Sequence, residues 1–528
     1  MGFVPQIFIW NWAALLVFLP AVYLALTVIY NVYLHPLRKF PGPFWWKATR
    51  IPWAWHSFHG NLTSRLCELQ REYRDVVRVC PDELHFFTSQ AVSSPMQRPS
   101  LLKSQIWTDL AKWNDIYGRQ APNGNGNLKK FMGKRRTEIN GTPSILTAVD
   151  DQDHRRLKRL LSHAFSEKAL TAQVPLINSY VDKLINNLRR KANESGGSTT
   201  LDIVKWYNYT TFDILGELAF GEPFGCFEDD ALHPWIKTLF TSVKDGWFVT
   251  IANSFPQPIR SLMQRMAPKG ELDAQTEEYT FATKKVKARI QVREAKKVDF
   301  MSYILKHNDE RGMTMPEIES NAVLLILAGS ETTATFLSGI TYCLLMNPTY
   351  YAKLRDIIRD TFSSEASITP QVLNQIDFFT ACIEEAFRIY PPVPQTGLPR
   401  ITAPEGSFVD GRFVPGNTIV IIPQLPTYMS DANFTDPQKF APERWLKGDE
   451  CPERYRGDNR KAMQPFSIGP RNCIGMNLAY FEIRLIFARM LWNFDFELME
   501  DSRDWMDQKI FALWEKKNLN VKLTPRRV

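Results

Sequence analysis

Ten residues, Phe466-Ser467-Ile468-Gly469-Pro470-Arg471-Asn472-Cys473-Ile474-Gly475, constrain this chain more than any other stretch. Five of them make the pattern F-x-x-G-x-R-x-C-x-G, which at average residue usage arises by chance in on the order of one window per million. A free thiol is mostly protonated near neutral pH, and nearby positive charge or the start of a helix favours its thiolate. Arg471 supplies charge. The apolar run after Gly475 (Met476, Leu478, Ala479, Phe481, Ile483, Leu485, Ile486) has the spacing of a buried helix that begins beside Cys473. Gly469 and Gly475 permit a tight turn and close approach of a flat ligand, and Phe466 can cover the sulfur from water. The loop reads as a thiolate made to hold a metal rather than a buried structural cysteine.

A second constraint lies upstream. In Asn321-Ala322-Val323-Leu324-Leu325-Ile326-Leu327-Ala328-Gly329-Ser330-Glu331-Thr332-Thr333 an apolar helix meets small residues, then an acid and two hydroxyls. Helical spacing puts Ala328 and Thr332 one turn apart on one face, so a hydroxyl can reach into the space a small residue leaves. A threonine inside a helix can also bond the carbonyl one turn back and open a niche for water or oxygen. Taken alone, the stretch fits equally a helix packing closely through Ala and Gly with Glu331 exposed. Glu385-Ala386-Phe387-Arg388 then places acid and base on one helix face, which alone means no more than a solvated salt bridge worth under about 1 kcal/mol.

Helical periodicity dominates from residue 152 to 390, clearest over Asp202 to Phe220, Pro316 to Met346 and Asn374 to Ile389. Strand-like runs are few: Val76-Val77-Arg78-Val79, and Ile419-Val420-Ile421-Ile422 after the turn signal Val414-Pro415-Gly416-Asn417. Asn123 to Asn127 and Asn193 to Ser198 read as turn-rich interruptions. With 528 residues, 44% hydrophobic and 23% charged, there is room for a large core. Length alone suggests about three domains, but elements from His154 to Cys473 must converge on one site, so one mainly α body with small β-sheets is expected. The net charge of +8 comes with no basic helix, zinc spacing or RNA-binding motif, which excludes a nucleic-acid partner. Seven scattered cysteines without a C-x-x-C pair fit a reducing compartment.

From Met1 to Leu34 there is no Asp, Glu, Lys or Arg, and Ile7 to Val32 as a helix is long enough to cross a hydrocarbon core of about 30 Å. The positive n-region and short apolar core of a cleaved signal are missing. Trp10, Trp12, Tyr30 and Tyr33 suit the interfaces, Pro20 allows a kink, and the first positive charges, Arg38 and Lys39, follow the span, leaving the rest of the chain on the cytosolic side. The expected organisation is a transmembrane anchor over 1–34, a stiff proline-rich hinge over 35–43, and a single catalytic domain over 44–528.

Together these residues resemble the cytochrome P450 superfamily, microsomal type, from the leader to nearly the C-terminus. The resemblance implies the cytochrome P450 fold preceded by one transmembrane helix, and a haem b (iron protoporphyrin IX) with Cys473 as its proximal iron ligand. Residues 328–333 are similar to the family's A-G-x-[DE]-T-T signature, which makes Thr332 the residue that stabilises bound dioxygen and Glu331 the acid that feeds protons, with Ala328 and Gly329 beside the cofactor. Glu385, Arg388 and Arg444 of Phe440-Ala441-Pro442-Glu443-Arg444-Trp445 look like the family's structural Glu-Arg-Arg triad. In Asp153-His154-Arg155-Arg156-Leu157-Lys158-Arg159-Leu160-Leu161, His154 and Lys158 stand where the family has W-x-x-x-R facing the haem propionates, so both depart from the common residues. Arg471 and Arg400 are further propionate candidates. Arg155, Arg156 and Arg159 are expected to face outward, as a basic face for an acidic electron donor.

The function implied is insertion of one oxygen atom from dioxygen into a lipophilic small molecule. Electrons come from NADPH through NADPH–cytochrome P450 reductase at the endoplasmic reticulum membrane. The combination of His35 to Pro43, Ala148 to Leu170 and Phe511 to Leu523 looks most like filamentous-fungal members that tailor secondary metabolites. Residues 100–127, 240–262, 321–328, 393–398 and 510–513 are the substrate walls by analogy, although aromatics there (Trp107, Trp113, Trp247, Phe248, Phe255, Phe511) are more often plain core. Alternatives are a haem-thiolate isomerase or dehydratase needing no electron donor, against which Glu331 and Thr332 argue, and a non-catalytic haem-binding sensor.

Overall fold

The computed structural model describes residues 6–87, 111–119, 128–133, 138, 140–266, 271–291, 299–306, 308, 312–395 and 398–526. Its principal helices are α1 (Gln6–Ile29), α2 (Asp151–Ser162), α3 (Glu167–Glu194), α4 (Ile203–Phe220), α5 (Pro234–Ala252), α6 (Met315–Leu345), α7 (Asp377–Ile389) and α8 (Met476–Asn493). Their starts follow from local chemistry. The Asp150 carboxylate accepts from the Gln152 and Asp153 amides at the head of α2, and Asp202 accepts from Val204 at the head of α4. At α6, Thr314 and Glu317 form a reciprocal capping box with Pro316 in the first turn.

Helices α4 and α6 are buried nearly all round, as helices apolar on every face must be, and they pack on one another at the centre. The largest core cluster gathers side chains of α3, α4, α6, α7 and α8 around them. By length and composition α6 could cross a membrane, yet it is mostly buried. It is a core helix.

Five strands, β1 (Val76–Cys80), β2 (Glu83–Phe86), β3 (Lys129–Lys130), β5 (Arg400–Ile401) and β8 (Ile419–Ile421), form a sheet in the order β1-β2-β8-β5-β3, parallel only between β2 and β8. β4 (Thr199–Asp202), β12 (Asn520–Pro525) and β9 (Phe494–Leu498) make a second sheet with β12 central. β6 (Ser407–Val409) pairs with β7 (Arg412–Val414), and β10 (Ile510–Phe511) with β11 (Leu513–Trp514).

The helices and strands expected from periodicity are present, with one shift. The helix expected from Asn374 starts at Asp377, because Asn374 instead caps the separate turn Pro370–Leu373. The Asn123 to Asn127 loop lies outside the described residues, and the Asn193 to Ser198 turn runs through Gly196 and Gly197 in left-handed conformation.

Helix α1 continues through Pro20 and ends in a π-helical turn at Tyr30–Leu34, with Phe18, Leu19, Tyr23, Leu24, Leu26 and Ile29 exposed. The proline-rich connector is docked on the body. Leu37 is fully buried, the Arg78 amide donates to the Pro41 carbonyl at 2.7 Å, and the Arg78 guanidinium reaches the Asn31 carbonyl at 2.8 Å.

The aromatics Trp247, Phe248, Phe255 and Phe511 close a satellite core with Trp46 and Trp53, and Trp113 is buried with its indole N–H on the Ala462 carbonyl at 3.2 Å. These rings are packing residues. Trp107 lies outside the described residues.

Candidate functional site

Cys473 sits three residues before α8, its amide donating to the Phe466 carbonyl at 2.9 Å, which closes the loop into a tight turn. Gly469 is required there by the polypeptide itself: its φ is +75°, and a Cβ would stand 1.9 Å from the Tyr117 carbonyl oxygen. Gly475 differs. Its φ of −86° and ψ of 9° place it in the turn with Ile474 that leads into α8, and its nearest obstacle is the Phe165 ring at 3.8 Å, so the surrounding chain would accept a side chain. Phe466 packs edge-on against Phe387 (5.3 Å) and against Tyr480 (5.1 Å), fixing the ring beside the loop.

Protein fills most of the volume around Cys473, yet the residue is exposed. Burial pushes the thiol above its ordinary pKa, while the Gly475 amide and the Lys158 ammonium pull it down. The cation expected beside the sulfur was Arg471, and this is corrected. The Arg471 guanidinium is buried and turned to the head of α2, donating to Asp151 Oδ1 at 2.7 and 3.0 Å and to the Ala148 and Val149 carbonyls at 2.6 and 2.9 Å. Lys158 holds the sulfur loop instead, through the Pro470 carbonyl and Asn472 Oδ1, each at 2.7 Å.

On α6 the buried face (Leu325, Ile326, Ser330, Thr333) is opposed by a stripe in which Val323, Leu324, Leu327 and Thr332 are partly accessible and Ala328 is exposed. The Thr332 hydroxyl donates to the Ala328 carbonyl at 2.6 Å, the backward bond the sequence suggested. Glu331, four residues past Leu327 and three past Ala328, shares the face of that stripe but is itself buried, paired with Lys516. Gly329 is partly accessible beside Ala328, and a Cβ there would point at Leu215 of α4, 3.0 Å away, so its smallness also serves the close crossing of the two central helices.

Cations collect at the end of the five-stranded sheet. Lys130 and Arg400 are directly opposite one another across β3 and β5, both buried, and His154 and Arg471 are near enough for their charges to be felt. Like charges directly opposite on paired strands are destabilising. Arg400 donates to the Leu398 and Pro399 carbonyls at 3.2 and 3.3 Å, lies over the Tyr117 ring at 4.9 Å, and keeps a buried Nε with no partner among the described residues. Burial lowers Arg400 to about 10 and, with Arg471, Lys158 and Lys130 adding repulsion, His154 to about 3. Lys130 escaped sequence reasoning because only the β3–β5 register brings it to Arg400.

The charge run on α2 is not a uniformly solvated face. Arg155 and Arg159 are exposed, but Arg156 ties α2 to α6 by pairing with Glu317 and donating to the Gly312 carbonyl at 2.9 Å, which corrects its expected outward role.

Glu385, Arg388 and Arg444 are brought together with no exposed side-chain surface. Arg388 donates to Glu385 through Nε at 2.8 Å and NH2 at 2.7 Å, and Arg444 Nε lies 3.1 Å from Glu385 Oε1. Two further members were not legible in the motif: Trp445 Nε1 donates to Glu385 Oε2 at 2.9 Å, and Asp458 pairs with Arg444.

The family model described as Cytochrome P450 matches residues 108–523. Among curated relatives, the cytochrome P450 monooxygenase aclL of Aspergillus oryzae is 44% identical over 507 residues, spanning 96% of this chain and 97% of its own. The monooxygenase astJ of the same organism is 40% identical over 95% of this chain and 94% of its own. Averantin hydroxylase of Dothistroma septosporum is 38% identical over 95% of this chain and 89% of its own.

Proposed function

From the premise that this chain belongs to the cytochrome P450 family of haem-thiolate monooxygenases, we propose that it hydroxylates or epoxidises a lipophilic intermediate of secondary metabolism, with electrons passed from NADPH by a membrane-bound reductase. The observation that carries the reading is the open Cys473 at the head of α8, held by Lys158.

The residues present fit an iron porphyrin. A thiol raised by burial needs a further cation to ionise, which iron supplies. Gly475 lacks a side chain that the polypeptide would tolerate. The buried Arg400 Nε, with no partner among the described residues, suits an anion such as a haem propionate.

Bound haem supplies activation of dioxygen under the electron push of its thiolate. The chain's own residues do the rest. Arg400 and Lys130, with a ring nitrogen of His154 as a further donor, would hold the propionates, while Lys158 stays with the sulfur loop. The Thr332 proton is committed to the Ala328 carbonyl, so its oxygen presents lone pairs to the groove and holds a proton donor there. Glu331, next along α6, serves proton delivery through water. The apolar stripe Val323, Leu324, Leu327 and Ala328 excludes bulk water from the reacting side.

Residues 1–34 act as a single-pass anchor in the endoplasmic reticulum membrane, supported by the exposed apolar side of α1, residues 35–43 as the hinge, and 44–528 as the cytosolic catalytic domain. Arg155 and Arg159 mark the reductase-facing surface. Averantin hydroxylase among the relatives supports hydroxylation as the reaction.

The test is a carbon monoxide difference spectrum of reduced membranes. The wild type should give the red-shifted thiolate Soret band, and Cys473→Ser should lose it. A folded wild-type protein without that band, or a Cys473→Ser variant that keeps it, overturns the proposal. NADPH oxidation dependent on added reductase tests the electron route.

A further inference from the structure

Glu331 has a partner that its own helix does not supply. Its Oε1 accepts from Lys516 Nζ and from the Thr335 hydroxyl at 3.2 Å, and Lys516 also donates to Thr335 Oγ1 at 2.6 Å. The two charged side chains are only 5% and 8% exposed, so the pair is withdrawn from water. The second carboxylate oxygen, Oε2, is buried with no hydrogen-bond partner among the described residues. Buried acceptors of this kind are normally satisfied by protein or by an ordered water.

Lys516 comes to Glu331 from a hairpin with little freedom to move. β10 and β11 are closed by the Glu515 amide on the Lys509 carbonyl at 2.9 Å, and the Ala512 amide donates to Gln395 Oε1 at 2.8 Å. The Trp514 ring stacks on Tyr390 at 4.3 Å while its N–H donates to the Pro391 carbonyl at 2.8 Å. Phe240 of α5 lies 5.9 Å from the ammonium. A cation held by so many contacts fixes the carboxylate rotamer as well as its charge.

We infer that Lys516 is the positioning residue for the acid on α6. It pairs with the Glu331 carboxylate, anchors Oε1, and leaves Oε2 as the acceptor at which a water-borne proton enters the helix one residue before Thr332. The proton comes from solvent and passes along that water to the groove, leaving the Glu331 carboxylate and the Lys516 ammonium unchanged at the end of the cycle. This rests on the reading of Glu331 and Thr332 as the proton-delivery pair. A purely structural clamp between hairpin and helix would share the geometry and not the consequences.

The experiment uses the full-length haem-loaded protein with NADPH and reductase. In Lys516→Met the unpaired buried carboxylate takes up a proton at neutral pH, so the infrared difference spectrum against wild type should gain a carboxylic-acid C=O stretch that the Lys516→Met/Glu331→Gln double variant lacks. Peroxide released per dioxygen consumed should rise by roughly ten-fold, and Lys516→Arg should restore both readouts. If Lys516→Met does not retain haem, Lys516→Gln carries the same two measurements. Absence of the band, or a band with peroxide release within about two-fold of wild type, overturns the inference if Thr332→Ala and Glu331→Gln do raise peroxide. If those two variants also leave peroxide unchanged, the proton-delivery reading itself fails.

Discussion

Lys158 Nζ stands 2.7 Å from Asn472 Oδ1 and thereby joins α2 to the residue immediately before the cysteine. With the Pro470 carbonyl also at 2.7 Å, one ammonium grips the loop on both sides of Arg471. Lys158→Met should cost about 1.5–3 kcal/mol in urea unfolding, as expected for hydrogen bonds to a charged group. It should also speed loss of haem to an acceptor protein, measured by absorbance. Lys158→Arg should keep most of both properties.

Thr332→Ala should retain haem and its thiolate spectrum, because the hydroxyl makes its hydrogen bond within α6. Peroxide formed per NADPH should nevertheless rise several-fold, a modest part of the 10²–10⁴ (order of magnitude) that a positioned proton donor contributes. Thr332→Ser, which keeps an oxygen at the same place, should stay near wild type. Unchanged peroxide yield in Thr332→Ala would remove that residue from proton handling.

The Glu385, Arg388 and Arg444 network is wholly desolvated, so removing one member strands a charge. Arg444→Ala should cost roughly 3–5 kcal/mol and leave both Glu385 and Asp458 short of a partner. The measurement is chemical unfolding followed by fluorescence, with haem content as the secondary readout. An effect under about 1 kcal/mol would mean the network behaves as an exposed pair.

His154 gives a pH dependence with a definite sign. Burial, then Arg471, Lys158 and Lys130, lower it from 6.5 to about 3 in the folded chain. Between those values the unfolded chain binds a proton that the folded one does not, so its contribution is full above pH 6.5 and is lost as pH falls toward 3. His154→Phe removes this titration. In the haem-free protein, where no propionate faces the ring, the urea midpoint of the variant should decline less steeply than that of wild type on acidification below pH 6.5.

Features set by short spacing were legible in the amino-acid sequence by itself. The cysteine loop, the Thr332–Ala328 bond and the Glu385–Arg388 pair all lie within one or two helical turns, where residue identity nearly fixes geometry. What closes across the fold was not legible. Lys516 reaches Glu331, Asp458 reaches Arg444, and Lys130 faces Arg400, each through strand register or loop packing that local periodicity does not encode. Glu482 on α8 was missed for the same reason. It is buried, its carboxyl is pushed up to about 8 by burial, and its one relief is a hydrogen bond with Thr333. Arg156, in a charge run, and Arg471, beside the cysteine, were misread because the sequence shows the cations and hides the remote carboxylates and carbonyls that bind them.

The buried guanidinium cluster has a practical consequence for recombining this chain with its relatives. Arg388 also donates to the carbonyls of Tyr428 and Lys439, and Arg444 to that of Thr435, so residues 385 to 458 are wired together as a unit. A crossover inside that interval joins donor and acceptor backbones that never co-evolved, whereas one placed before Asp377 or after Ala462 transfers the whole harness intact.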